Sequence, residues 1–173
     1  MKYFTIILFT IIILNCKPNQ VTISASLENL VTTKYCPEDG VCTLELLQDK
    51  TLKTLKTNLG ETYTQIVDGE SLVLKFEYKR NEIPDTADGH YSEQVLIELD
   101  KSNLEIEETL TNKSNVMFAR FCYCKGQTGY YRVSDGKISI KKITDKSYQL
   151  TLDFKQNEVP QILTQIQEVF SLD

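Results

Sequence analysis

Five cysteines, a single histidine and three arginines are the residues of this 173-residue chain best suited to chemistry, and they are spread unevenly. Cys122-Tyr123-Cys124 heads the densest aromatic and basic stretch, Arg120 to Val133, which holds three of the nine tyrosines and two of the three arginines. Tyrosine at a loop edge can stack on a sugar ring or anchor a protein interface, and arginine can grip a carboxylate. Arg120, Tyr123, Tyr130, Tyr131 and Arg132 are therefore the candidate binding residues, with Gly126 and Gly129 bracketing a flexible loop among them. The plainer alternative is a cystine-anchored hairpin whose tyrosines close the end of the core. A second candidate region is the connection from Asn81 to Tyr91, with Pro84, Asp85, Asp88, Gly89 and His90. Long loops on a β scaffold are where binding residues gather. The acid spacing there does not match an EF-hand, so a solvated acidic loop is expected.

Signatures of catalysis are missing. The sequence has no Gly-x-Ser-x-Gly, no phosphate-binding glycine loop and no His-Glu-x-x-His. His90 alone leaves little room for histidine catalysis or a multi-histidine metal site. A non-enzymatic protein without cofactor or metal is the expectation. The net charge of −5 and pI near 5.0 argue against nucleic acid as a partner, whose phosphates call for clustered Lys and Arg. They argue equally against docking on anionic lipid by charge alone.

The first sixteen residues differ from the rest. Lys2 precedes an apolar run, Tyr3 to Leu14, broken only by Thr5 and Thr10. A helix of that length spans ~18 Å, too short for a ~30 Å hydrocarbon core but right for a signal-peptide core. The run ends at Ile13-Leu14-Asn15-Cys16. This resembles the lipobox of bacterial lipoproteins, with Ile13 as the aliphatic residue three before Cys16, although Leu14 and Asn15 are not the usual small residues. The resemblance covers the leader only. It implies a signal peptide over 1–15, lipidation of Cys16 and a persistent membrane anchor. Residues 16–20 then form a short tether, at most ~14 Å over Lys17 to Gln20, ahead of a single β domain over 21–173. No acidic stretch follows Cys16. Lipoproteins sent to the cell surface often carry such a stretch, so the resemblance implies an outer-membrane position facing the periplasm.

With Cys16 assigned to lipid, Cys36, Cys42, Cys122 and Cys124 remain, an even number in an exported protein and so two disulfides. Cys36 and Cys42 flank a turn, Pro37-Glu38-Asp39-Gly40-Val41, which a local bond could close. Cys122 to Cys124 is awkward, because residues i and i+2 of an extended strand lie ~6.6–6.8 Å apart, at the limit of disulfide geometry. Cross-pairing the two clusters closes loops of roughly 80–90 residues, for ~4.5 kcal/mol on the chain-entropy model against ~2.4 for the local turn. Long-range pairing is the favoured expectation, with local bonds and free thiols left open. Cys-x-Cys with Cys-x5-Cys is not a usual zinc spacing.

The elements that must position these residues read as strands. Leu72, Leu74, Phe76 and Tyr78 alternate with Lys75, Glu77 and Lys79. Val95, Ile97 and Leu99 repeat the pattern, followed by Leu104, Ile106 and Leu110, by Ile138 and Ile140, and by Tyr148, Leu150, Leu152 and Phe154. Asp68-Gly69 and Asp135-Gly136 give the strongest hairpin signals, with weaker turns at Asp100 to Asn103, Thr111 to Asn115 and Asp145-Lys146. The expectation is a mainly β protein: an antiparallel meander of nine or ten strands forming a barrel or a two-sheet sandwich. Val159, Ile162, Leu163, Ile166, Val169 and Phe170 then fall at helical spacing, predicting one C-terminal amphipathic helix over about 158–171. The architecture is similar to that of lipocalin-like barrels, but without tryptophan their Gly-x-Trp signature cannot be present.

Together these readings predict a membrane-anchored envelope lipoprotein whose small β domain binds a protein or a small ligand, an inhibitor of an envelope hydrolase being one form of such a module. The competing expectation is a redox-active or redox-sensing lipoprotein that uses Cys122 and Cys124.

Overall fold

The computed structural model describes residues 34–58, 60–86 and 88–172. The signal peptide, Cys16, the tether and the β pattern opening at Val21 lie outside them. Nine strands run in chain order: β1 Gly40–Lys56, β2 Thr62–Arg80, β3 Tyr91–Leu99, β4 Ile106–Thr109, β5 Val116–Cys122, β6 Gly129–Arg132, β7 Asp135–Lys142, β8 Ser147–Lys155 and β9 Gln165–Ser171. They form two wholly antiparallel sheets, a larger one ordered β1-β2-β3-β5-β6 and a smaller one ordered β4-β7-β8-β9. Among the described residues the protein is thus mainly β, with two sheets and no closed barrel. It is not a simple meander either, because the chain leaves the larger sheet for β4, returns for β5, and leaves again after β6.

Alternation builds the core. Leu72, Leu74, Phe76 and Tyr78 of β2, Val95, Ile97 and Leu99 of β3, and Val116 and Phe118 of β5 share one cluster with the smaller sheet. That sheet contributes Ile138, Ile140, Leu150, Leu152, Phe154, Ile166 and Phe170. Phe118 meets Phe154 across the two sheets with ring centroids 6.0 Å apart. Each side chain of this size stabilises the fold by roughly 1.5–3 kcal/mol when fully buried. Packed side chains from both sheets meet between them.

The larger sheet is also covered on its far side. Val73, Leu96, Met117 and Ala119 point away from the core, yet none is more than 2% exposed. The distal half of the β1–β2 hairpin folds back over them. Thr51 Oγ1 and Leu52 N donate to the two Glu98 carboxylate oxygens at 2.6 and 3.0 Å, and β2 reaches as far as β6. The fold-back starts at an irregularity in β1 between Gln48 and Lys50, where Asp49 takes a φ of 56°. Opposite lies Gly69, where a Cβ would stand 2.7 Å from Thr51 Cβ. Asp68-Gly69 is therefore no hairpin turn but the bend in a long pair, and the turn itself lies at 57–61, with Thr57 N donating to Glu61 O at 2.8 Å. Asp135-Gly136 is likewise not a hairpin. It opens β7 where the chain changes sheets, with Gly136 at φ 146° and too close to Asp153 O to admit a side chain.

The expected helix over 158–171 is a strand. β9 pairs with β8 through Leu152↔Ile166, Leu150↔Glu168 and Tyr148↔Phe170, behind an irregular connection over 156–164. Ile166 and Phe170 share a face in either period, which is why the helical reading arose. The positions between them decide it: Val169, on the apolar stripe of the expected helix, is 45% exposed, whereas Glu168, which that helix would turn outward, is 4% exposed.

Candidate functional site

The disulfides are Cys36–Cys42 and Cys122–Cys124, not the long-range pairs favoured above. Cys42 on β1 lies opposite Tyr78, and Cys122 on β5 lies opposite Tyr91. Strands β2 and β3 stand between the two clusters. Three inter-strand spacings make ~14 Å, far beyond the reach of a cystine. The short bond forms because β5 ends at Cys122 and the chain bends at Tyr123, bringing the two Cα atoms to 5.2 Å. Both disulfides thus sit at one end of the larger sheet.

The inner side of that end is closed by a buried carboxylate. Glu93 occupies the slot that continues Leu99, Ile97 and Val95 on the core face of β3, and it is 0% exposed. It accepts hydrogen bonds from Ile162 N and Leu163 N, each at 2.7 Å, and from the Tyr91 hydroxyl. These bonds pin the 156–164 connection to the larger sheet. Burial raises the Glu93 carboxyl above its ordinary range, while the N–H and O–H donors and the nearby Arg120 charge oppose that rise. Burial, and then the Glu93 acceptor, push Tyr91 up to about 12. Arg120 Nε donates to Tyr91 Oη at 3.2 Å, and its Nη1 donates to Gln127 Oε1 at 2.6 Å. The Arg80 guanidinium stands 4.6 Å from the Tyr91 ring centre. Asp39, inside the Cys36–Cys42 loop, accepts from Tyr78 Oη at 2.7 Å and from Arg80 Nε at 3.1 Å. The Tyr78 hydroxyl holds Asp39 below the usual carboxylate range; desolvation opposes it, and the Arg80 charge adds a smaller lowering effect.

Outside this network the same end opens into a cleft of about 340 Å³. Its walls are Lys79, Arg80, Asp88, His90, Tyr91, Ser92, Phe121, Cys122, Tyr123 and Thr128. The two regions singled out separately in the sequence therefore meet: the 81–91 connection brings Asp88 and His90, and the tyrosine-rich stretch brings Tyr123. A neighbouring depression of about 290 Å³, lined by Glu82 to Thr86 with Gly89 and His90, shares His90 with the cleft. Tyr123 is 83% exposed. Val41, opposite Lys79 in the β1–β2 pairing, and Ile83 are exposed as well.

Of the five candidate binding residues, only Tyr123 lines the cleft. Arg120 is buried in the Tyr91 network. Tyr130 packs edge-on against Phe121 with centroids 5.7 Å apart, and Tyr131 lies against the core. Arg132 Nη1 donates to Ser114 O at 2.7 Å. Lys79, Arg80 and Phe121 had no motif to mark them. Their signal is positional, since they close β2 and β5 where those strands run into the two long connections. The cleft carries the cationic or protonatable Lys79, Arg80 and His90 against one acid, Asp88. The side chains of Lys79 and His90 have no hydrogen-bond or ion-pair partner among the described residues. The described residues contain no cluster suited to a metal ion. No protein-family model, no curated protein and no solved structure matches this chain.

Proposed function

We propose that this chain is an envelope lipoprotein, anchored through Cys16 on an outer membrane, whose β domain is a non-enzymatic binding module. The cleft takes a carboxylate-bearing group with an aromatic or aliphatic neighbour, presented by a protein partner or a small ligand. The observation that carries this reading is the convergence of unpartnered Lys79 and His90 with Phe121 and the exposed Tyr123 around one opening. A carboxylate would find two charge-assisted donors there, and its apolar neighbour would find two aromatic faces. Arg80, already committed to Asp39 and the Tyr91 ring, shapes the wall rather than gripping the ligand.

Chemical-shift mapping with the acetylated dipeptide Phe-Glu as probe tests the reading. Saturable shifts confined to residues 79–92 and 121–128, lost in Lys79→Glu, are the expected outcome. Shifts scattered over the smaller sheet, or none at millimolar peptide, would refute it. Metabolic palmitate labelling of the full chain tests the anchor: label is expected on the protein and absent from Cys16→Ala, and label retained in that variant would refute lipidation there.

A further inference from the structure

We infer that Cys122–Cys124 is an exchangeable disulfide, opened at the cleft by a thiolate of a dithiol protein, while Cys36–Cys42 remains closed. Three observations carry this. Cys122 forms part of the cleft wall, and Cys124 is flanked by exposed residues, Tyr123 at 83% and Lys125 and Gly126, so an incoming thiolate reaches Cys124; Cys36 and Cys42 pack against the core instead. The two bonds close loops of very different length, with sequence separations of 2 and 6. The shorter loop removes less freedom from the unfolded chain, so its opening costs the fold less stability. Finally, Lys79, Arg80 and His90 share the cleft with Cys122. Positive charge beside a sulfur stabilises the thiolate that must leave when the bond breaks.

The exchange runs in two steps. The partner thiolate attacks Cys124 Sγ, a mixed disulfide forms, and Cys122 leaves as thiolate with the electron pair of the broken S–S bond. The partner's second thiol, deprotonated, attacks its own sulfur in the mixed disulfide and releases the Cys124 thiolate. Two electrons and two protons pass in total, leaving an oxidised partner disulfide and two thiols on this chain. This goes beyond ligand binding, and it is read on the disulfide itself, so it stands or falls independently of the dipeptide titration.

The test equilibrates the detergent-solubilised full chain in glutathione buffers, quenches with a maleimide and maps the labelled cysteines. Cys122 and Cys124 are expected to open in a buffer at least about tenfold more oxidising in dithiol–disulfide equilibrium than the one that opens Cys36–Cys42. A transient glutathione adduct is expected on Cys124 rather than Cys122. Lys79→Gln should slow opening by roughly three- to tenfold at low salt and much less at high salt. Opening of both disulfides at one glutathione ratio, or opening of Cys122–Cys124 only where the protein unfolds, would overturn the inference.

Discussion

Two disulfides lie at the same end of one sheet, each closed over a short stretch of chain, and their surroundings differ sharply. Cys36–Cys42 frames a loop whose interior is spoken for: Asp39 holds the Tyr78 hydroxyl and the Arg80 guanidinium, and both sulfurs' residues rest on the core. Cys122–Cys124 frames one exposed tyrosine and opens on a cleft with partnerless Lys79 and His90. Identical covalent chemistry thus serves as a staple on one side and as the rim of a site on the other. What separates them is whether neighbouring polar groups have found partners.

Substitutions on either side of that contrast test it. The largest effect is expected from Glu93→Ala, which leaves two backbone N–H groups and the Tyr91 hydroxyl without their acceptor. A loss of roughly 3–5 kcal/mol is expected in denaturant unfolding, the scale for removing one partner of a buried charged network. A loss under about 1 kcal/mol would show that the closed inner wall is not what fixes this end.

Next comes Glu168, which stands remote from both disulfides in sequence and on the other sheet. One of its carboxylate oxygens is buried without a hydrogen-bond partner, and burial pushes its pKa up to about 7. A carboxyl raised in the folded state costs stability as pH climbs from its ordinary value of 4.5 through 7. Glu168→Gln should therefore be more stable than the parent at pH 8, by up to about 3 kcal/mol, and nearly equal to it at pH 4. This variant also separates local from global opening. Reduction of Cys122–Cys124 should proceed at the parent rate in Glu168→Gln at pH 8, whereas reduction through global unfolding would slow with the added stability.

The disulfides themselves come last. Replacing Cys36 and Cys42 by serine should cost about 2.4 kcal/mol, and replacing Cys122 and Cys124 about 1.6 kcal/mol, on the chain-entropy account. Thermal melts that reverse this order would dissolve the distinction between staple and rim.

Much of the fold was legible because alternation on β2, β3, β7 and β8 is clean where one face meets the core. Legibility failed where a residue served two constraints. β5 is buried at five successive positions, Val116 to Arg120, because the folded-back hairpin covers its second face, so alternation could not set its limits. Gly69 looked like a turn because close strand approach at a bend selects the same residue as a turn does. β9 hid behind an inward Glu168 and an outward Val169. The site was half legible: Tyr123, Asp88 and His90 stood out by composition, but Lys79, Arg80 and Phe121 become visible only when strand ends are placed side by side. The cystine pairing was misjudged because loop entropy was weighed without knowing that two strands separate the clusters.

The proposed function makes the cleft end of the larger sheet the working face. Photo-crosslinking from a benzoylphenylalanine placed at position 123 or at position 169, in cells expressing the full chain, tests it most directly. Both parent residues are exposed, Tyr123 beside the cleft and Val169 on the smaller sheet. A discrete adduct is expected from position 123, suppressed by Lys79→Glu, and none from position 169. Equal adducts from both positions, or an adduct from 169 alone, would contradict it.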